Sequence, residues 1–189
     1  MKTLTVIVLF TIITQLTNAQ EETLKIGDKA PTFKAIDDQG KKWNSDGVVG
    51  EKVLVVYFYP AAMTGGCTKQ ACAYRDNKAK LSDLGIEVVG ISGDEVVNLK
   101  YFKMAHDLNF PLLSDLDGSI AKKFGVPTKD GGEITREIDG EEKTLKRNVT
   151  TSRWTFAIGK DGKIIYKNTE VNATEDSENV LKAIQAYLN

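Results

Sequence analysis

The chain is 189 residues long and carries 25 Lys and Arg against 26 Asp and Glu, with one His and two Cys. A balance this even, with no block of like charges, argues against a nucleic-acid partner or an anionic membrane surface; Lys78 with Lys80, and Lys122 with Lys123, read as solvated helix faces. The lone His106 sits in the polar stretch Met104-Ala105-His106-Asp107 with no cysteine near it, which suits a surface imidazole and not an ordinary zinc site.

In chain order, the first segment stands apart. Met1-Lys2 is a short basic start, residues 4–13 are nearly all apolar, and Thr17-Asn18-Ala19 ends on a small residue. This is the pattern of a secretory leader cut after Ala19, although the threonines and Asn18 are polar for that role. A buried helix and an uncleaved anchor are the competing readings. The apolar run is about half of the ~20 residues that a bilayer span needs, so no stable membrane insertion is expected. The expectation is a signal peptide over 1–19 and an exported protein, periplasmic or extracellular, over 20–189. That length suits one domain and is short for two, and without the leader's single lysine the charge balance is 24 basic to 26 acidic.

Residues 33–36 and 41–43 flank Asp37-Asp38-Gln39-Gly40 and predict a hairpin. The stretch 52–59 is almost continuously apolar, which marks a strand buried on both faces. A helix follows over 68–84, stopped by Gly85. Next come a strand over 86–92, a helix over 96–108, a short strand or loop from Pro111 to Leu113, and a short helix over 119–124 ended by Gly125. Glycines at 131, 132 and 140, many charges and few apolar residues predict that 127–152 is a surface excursion, not core. Thr135, Ile138 and Leu145 around Asp139-Gly140 suit a small hairpin within it. Segments 154–158 and 163–166 pair across 159–162, and 175–188 closes the chain as an amphipathic helix. Strand and helix alternate, then come a hairpin and a helix. That order predicts a thioredoxin-like α/β fold, a central mixed sheet flanked by helices, with an N-terminal β-hairpin extension.

The two cysteines lie where the first central strand passes into the helix, in Pro60-Ala61-Ala62-Met63-Thr64-Gly65-Gly66-Cys67, with Cys72 five residues on. A thiol in the first turn of a helix faces unpaired N–H groups and the positive end of the macrodipole, and both favour the thiolate, which is the nucleophile. If the segment is helical, the two cysteines are separated by about 7.5 Å of rise and about 140° of rotation. Their Cα atoms then stand roughly 8.7 Å apart, beyond the ~7 Å reach of a disulfide without backbone movement. A bond that forms only when the helix start unwinds is a poor brace and a plausible catalytic intermediate. The plain alternative is two unrelated buried cysteines serving as small hydrophobes.

The pattern Pro-x-x-x-Thr-x-x-Cys resembles the active-site signature of the peroxiredoxins, and Thr68-Lys69-Gln70-Ala71-Cys72 resembles their atypical two-cysteine branch, bacterioferritin comigratory protein or PrxQ, of the AhpC/TSA superfamily. The likeness continues in Gly27-Asp28-Lys29-Ala30-Pro31, Phe110-Pro111-Leu112-Leu113-Ser114-Asp115, Phe124-Gly125-Val126, Arg153-Trp154-Thr155-Phe156 and Asp161-Gly162-Lys163-Ile164, and covers most of 25–189. Two departures stand out: Gly65 where the family often has proline, and a connection at 127–152 longer than usual.

The resemblance implies a thiol-dependent peroxidase that reduces hydrogen peroxide and organic hydroperoxides in antioxidant defence. Cys67 would be the peroxidatic residue. Thr64 would supply a hydroxyl to thiolate and peroxide, Arg153 a guanidinium beside the sulfur, Pro60 a shield against water, and the backbone around Gly66 and Cys67 further donors. Each has a dull alternative as helix cap, strand-edge charge or strand terminator. Attack leaves a sulfenic acid that condenses with a nearby thiol, and Cys72 is the other cysteine in the chain, hence the candidate resolving residue. The implied partner is thioredoxin or a thioredoxin-like reductant, with no cofactor and a monomer or weak dimer. The long connection would shape a peroxide-entry rim or a reductase-docking surface, or be a solvated insertion with no role. The rival activities are a thiol–disulfide oxidoreductase, which would want Cys-x-x-Cys, and a non-enzymatic thioredoxin-like binding module. Asn148-Val149-Thr150 and Asn172-Ala173-Thr174 match the glycosylation triplet.

Overall fold

The computed structural model describes residues 24–188; the expected leader lies outside them. The chain opens with the hairpin of β1 (Lys34–Asp37) and β2 (Lys42–Asn44). The apolar run follows as β3 (Val53–Phe58), buried along its whole length. Its side chains divide by the two-residue period of a strand. Val53, Val55 and Tyr57 pack on one face with Ala71, Tyr74, Leu99, Phe102, Val180 and Ile184, whereas Leu54, Val56 and Phe58 pack on the other with Phe33, Ile120, Phe124 and Phe156. Coverage on both sides is why this strand lacks an alternating polar register. Each fully buried side chain of this kind contributes about 1.5–3 kcal/mol.

Strands β4 (Ile86–Ser92) and β5 (Leu112–Ser114) continue the sheet in parallel from β3, and β1–β2 adds to the β5 edge in antiparallel sense. On the other side of β3 lie β8 (Trp154–Ile158) and then β9 (Ile164–Asn168), both antiparallel to their neighbours. The order across the seven strands is β2-β1-β5-β4-β3-β8-β9. Helices α1 (Gly65–Asp76), α2 (Lys78–Asp83), α3 (Val96–Ala105) and α5 (Asp176–Leu188) supply the core of one face, and α4 (Ser119–Lys123) that of the other. This is the mixed sheet with flanking helices and added hairpin expected from the sequence.

Two expectations need correction. The helix expected over 68–84 is two helices. The first starts three residues earlier, at Gly65, and the second follows a break at Asn77, whose φ and ψ are −90° and 3°. The Asn77 amide donates to Ser177 Oγ at 3.0 Å, and an asparagine that bonds outside the helix competes with helical continuation. The break turns α2 so that Leu81 is buried.

The 127–152 segment is the expected hairpin around Asp139-Gly140, mostly exposed, but it is not small. It is an antiparallel arm of two eleven-residue strands, β6 (Thr128–Ile138) and β7 (Glu141–Thr151). Asp139 and Gly140 form its tip with φ of 54° and 78°, the two positive values a type I′ turn needs. The glycine at 131 is a close approach and not a loop signal: a Cβ there would stand 2.0 Å from the Arg147 carbonyl oxygen. Ile138, Leu145, Thr150 and Thr151 of the arm are buried.

Smaller differences follow the same logic. Helix α3 ends at Ala105, and the chain turns at Asp107, with φ of 50°, to bury Leu108. His106 is half-buried there, not a free surface imidazole: its ring meets the Phe102 ring edge-on at 5.4 Å, and burial beside Arg75 lowers its pKa. Asn148 and Asn172 are both exposed. Among the described residues no helix is long and apolar enough to cross a membrane.

Candidate active site

Strand β3 delivers the chain to a corner. After Tyr59, the loop of residues 60–64 leads into α1, whose first helical bond runs from Thr68 N–H to the Thr64 carbonyl at 2.8 Å. The N–H groups of Gly65, Gly66 and Cys67 precede that bond and so have no acceptor within the helix. Cys67 therefore lies in the first turn, as the sequence argument requires, and its side chain is only 2% exposed. Cys72 lies on the same helix, is partly exposed, and like Cys67 is a free thiol. With α1 continuous through both, the ideal-helix separation of about 8.7 Å applies, outside disulfide reach.

The other residues singled out in the sequence gather at this corner. Arg153, just before β8, donates from Nη2 to Cys67 Sγ at 3.3 Å. Gly66 makes room for it, since a Cβ at Gly66 would lie 3.3 Å from the same nitrogen. Thr64 occupies the N-cap position with extended backbone, yet its hydroxyl does not cap the helix and donates instead to the Ala61 carbonyl at 2.9 Å. The dull reading of Thr64 as a cap is thereby set aside. A hydroxyl committed as donor in this way keeps its oxygen free to accept. Pro60 is partly exposed at the start of the loop.

Behind Arg153 the structure shows residues that sequence reasoning missed. Arg153 Nη1 donates to Gln70 Oε1, and Gln70 Nε2 donates to Asp176 Oδ2 at 2.7 Å. The same Asp176 oxygen accepts from Tyr74 Oη and Thr155 Oγ1, each at 2.8 Å. Gln70 and Asp176 are fully buried. The glutamine amide suits its place because it offers an acceptor to the cation and a donor to the carboxylate. Burial raises the Asp176 carboxyl above its ordinary pKa, against the lowering effect of hydrogen bonds from Gln70, Tyr74 and Thr155 and of the nearby Arg153. Gln70 carried a signal, being three residues from Cys67 on the same helix face. Asp176 looked like an ordinary acid at the start of a helix.

The loop before Cys67 is tied down separately. Its Ala62 N–H donates to Asp94 Oδ2 at 2.8 Å, and Asp94 Oδ2 also accepts from Ser92 Oγ. Burial raises the Asp94 carboxyl too, opposed by these hydrogen bonds and by Arg147. Among the described residues no cluster of three or more His, Cys, Asp or Glu is placed to hold a metal ion.

Known proteins share this sequence pattern and fold. Residues 26–167 match the model of the AhpC/TSA family. Peroxiredoxin Bcp of Escherichia coli is 37% identical over 164 residues, covering 87% of this chain and 97% of the relative. The crystal structure of peroxidoxin BcpB from Mycobacterium tuberculosis superposes with a TM-score of 0.73 at 30% identity, over 86% of this chain and 97% of that one. A mutant PrxQ from Xylella fastidiosa shares the fold with a TM-score of 0.74 at 22% identity, over 88% and 98% of the two chains. The chain belongs to the AhpC/TSA family, in its Bcp/PrxQ-like peroxiredoxin branch.

Proposed function

We propose that this peroxiredoxin reduces hydrogen peroxide and organic hydroperoxides through Cys67 and is resolved by Cys72 within the same chain. The observation that carries the reading is the Arg153 guanidinium 3.3 Å from Cys67 Sγ at the start of a helix. A fixed cation and the amides of the first turn stabilise negative charge on the sulfur and on the oxygen that departs. The Cys67 thiolate attacks the nearer peroxide oxygen and the O–O bond breaks. The far oxygen takes a proton and leaves as water or an alcohol, and Cys67 becomes a sulfenic acid. Thr64 orients the substrate by accepting the hydroperoxide O–H, since its own proton is held by Ala61. Exposed Gly65 and Gly66 leave space beside the sulfur, and Pro60 limits water at the loop entrance.

The Cys72 thiol then attacks the sulfenic sulfur, forming an S–S bond as water leaves. Closure requires the first turns of α1 to unwind, because the helical separation exceeds disulfide reach. A dithiol protein, thioredoxin or a thioredoxin-like reductant, supplies two electrons by thiol–disulfide exchange and restores both thiols. The leader-like residues 1–19 extend the proposal to export, which the mass of the mature chain checks.

The test is stopped-flow oxidation of the reduced protein by hydrogen peroxide and by an organic hydroperoxide. Cys67→Ser should abolish the reaction, since an alcohol is not appreciably ionised at neutral pH; substantial activity in this variant overturns the assignment. Cys72→Ser should consume one peroxide per chain, then stall with a thioredoxin system and accumulate sulfinic acid. Undiminished steady-state turnover would remove Cys72 from the cycle.

A further inference from the structure

We propose that Arg136 and the β6–β7 arm clamp the loop before Cys67, and that this clamp sets how often the Cys67 sulfenic acid is resolved before a second peroxide reaches it. The inference rests on the roles proposed for Cys67 and Cys72. The arm touches the loop at both ends: Thr151 Oγ1 donates to the Tyr59 carbonyl at 2.9 Å, and Arg136 Nε donates to the Met63 carbonyl at 3.0 Å. It reaches the middle through Asp94, which accepts the Ala62 N–H while its chain neighbours bond the arm, Asn148 N–H to the Gly93 carbonyl and Glu95 N–H to that of Lys146.

The clamped residue is held in an unfavourable shape. Met63 has φ of 59°, the left-handed region that a long L side chain keeps only when its surroundings hold it there. Met63 lies two residues before Gly65, where α1 begins and where unwinding must start if Cys67 is to meet Cys72. Relaxation of Met63 favours opening, and the Arg136 hydrogen bond opposes it. The two act in opposite directions on one peptide, and Arg136 biases the loop towards the closed form.

The closed form is where over-oxidation happens. There the sulfenate of Cys67 attacks a second peroxide, its O–O bond breaks, water or alcohol leaves, and Cys67 becomes a sulfinate. In the opened form Cys72 displaces water from the sulfenic sulfur. The partition between the two products therefore reports the clamp, and the first peroxide step does not.

Arg136→Met, and Arg136→Gln as a polar variant too short to keep the bond, should form the disulfide roughly threefold to tenfold faster, the effect of one part-buried hydrogen bond of ordinary strength. The sulfinic fraction at a fixed excess of hydrogen peroxide, read by mass, should fall in proportion, with the rate of first Cys67 oxidation unchanged. Arg136→Lys, which keeps a cationic donor, should restore the slower wild-type resolution. In the reduced proteins, amide exchange across residues 64–70 should quicken in the Met and Gln variants. Wild-type resolution rates in folded Arg136→Met and Arg136→Gln overturn the proposal. Should the wild type react at Cys67 without forming the Cys67–Cys72 disulfide, the resolving role fails on its own account. Exchange then decides the clamp, and equal protection at 64–70 overturns it.

Discussion

The two sides of Cys67 are held by different means. On the helix side, Arg153, Gln70, Asp176, Tyr74 and Thr155 form a chain of side-chain hydrogen bonds, buried from Gln70 to Asp176, that ends at the sulfur. On the loop side, the contacts are to backbone, with Thr151 and Arg136 donating to carbonyls and Asp94 accepting an N–H. The first arrangement fixes charge, and buried polar chains of this kind are costly to break at any link. The second fixes a conformation: the Thr151 and Asp94 bonds are buried, and the part-buried Arg136 bond is the one that separates at modest cost. Charge is thus fixed behind the sulfur, where the peroxide step needs it, and the releasable restraint in front is the Arg136 bond to Met63, where the backbone has to move.

The comparison breaks first at Arg153. Arg153→Met should slow oxidation of Cys67 by roughly 10²-fold, the loss of one preorganised charge contact, and should cost about 1–3 kcal/mol of stability by leaving the buried Gln70 Oε1 unpaired. A variant that reacts at the wild-type rate would show that charge is not what this side supplies. Next in size is Gln70→Glu, which places a second carboxylate against Asp176, now 2.7 Å from the glutamine nitrogen. The pair can share one proton at low pH and must repel once both ionise. Its stability deficit should therefore grow from pH 5 to pH 8 in urea titrations, and peroxide reduction should drop about tenfold as the new carboxylate draws the Arg153 guanidinium from the sulfur. A deficit that does not change with pH would mean that the glutamine amide is not read by its two partners as described.

A smaller effect is expected at Asp176. Its folded pKa is raised, chiefly by burial, so below the unfolded pKa of about 4 neither state ionises and the penalty is absent. As pH rises, the unfolded chain ionises first, and stability falls until the folded carboxyl ionises too. Asp176→Asn should remove that component, so the wild type loses more stability than the variant between pH 4 and pH 7. The Asp94 and Asp115 carboxyls, also raised by burial, contribute equally to both proteins. Identical pH profiles would place the Asp176 burden elsewhere. The smallest effect belongs to Gly66→Ala, whose Cβ would meet Arg153 Nη2 at 3.3 Å. The shift needed is a few tenths of an ångström, enough to slow the peroxide step by roughly threefold. The helix itself should gain about 0.5–1 kcal/mol from the substitution. A raised melting temperature with a lowered rate separates the two contributions.

By itself the sequence determined the sheet-and-helix order, the doubly buried strand over 52–59, the Asp139-Gly140 turn and the position of Cys67 in a first helical turn. Each of these is written in residues close together: a period of two, a continuous apolar run, a turn dipeptide, a thiol a few residues after a strand. The family signature added Thr64 and Arg153, which the structure brings to the same corner. Only the tertiary structure decided the rest. The helix breaks at Asn77 because its partner Ser177 lies 100 residues away, and the link from Gln70 to Asp176 spans 106. The arm's glycines suggested a loop, yet Gly131 permits the close approach of Arg147 across a paired ribbon. Arg136 meets Met63 from 73 residues further along the chain. Local patterns record which face a residue turns to the core; they carry no term for which distant backbone carbonyl a side chain will find there. That choice is made when the layers pack and each buried polar group has to be paired.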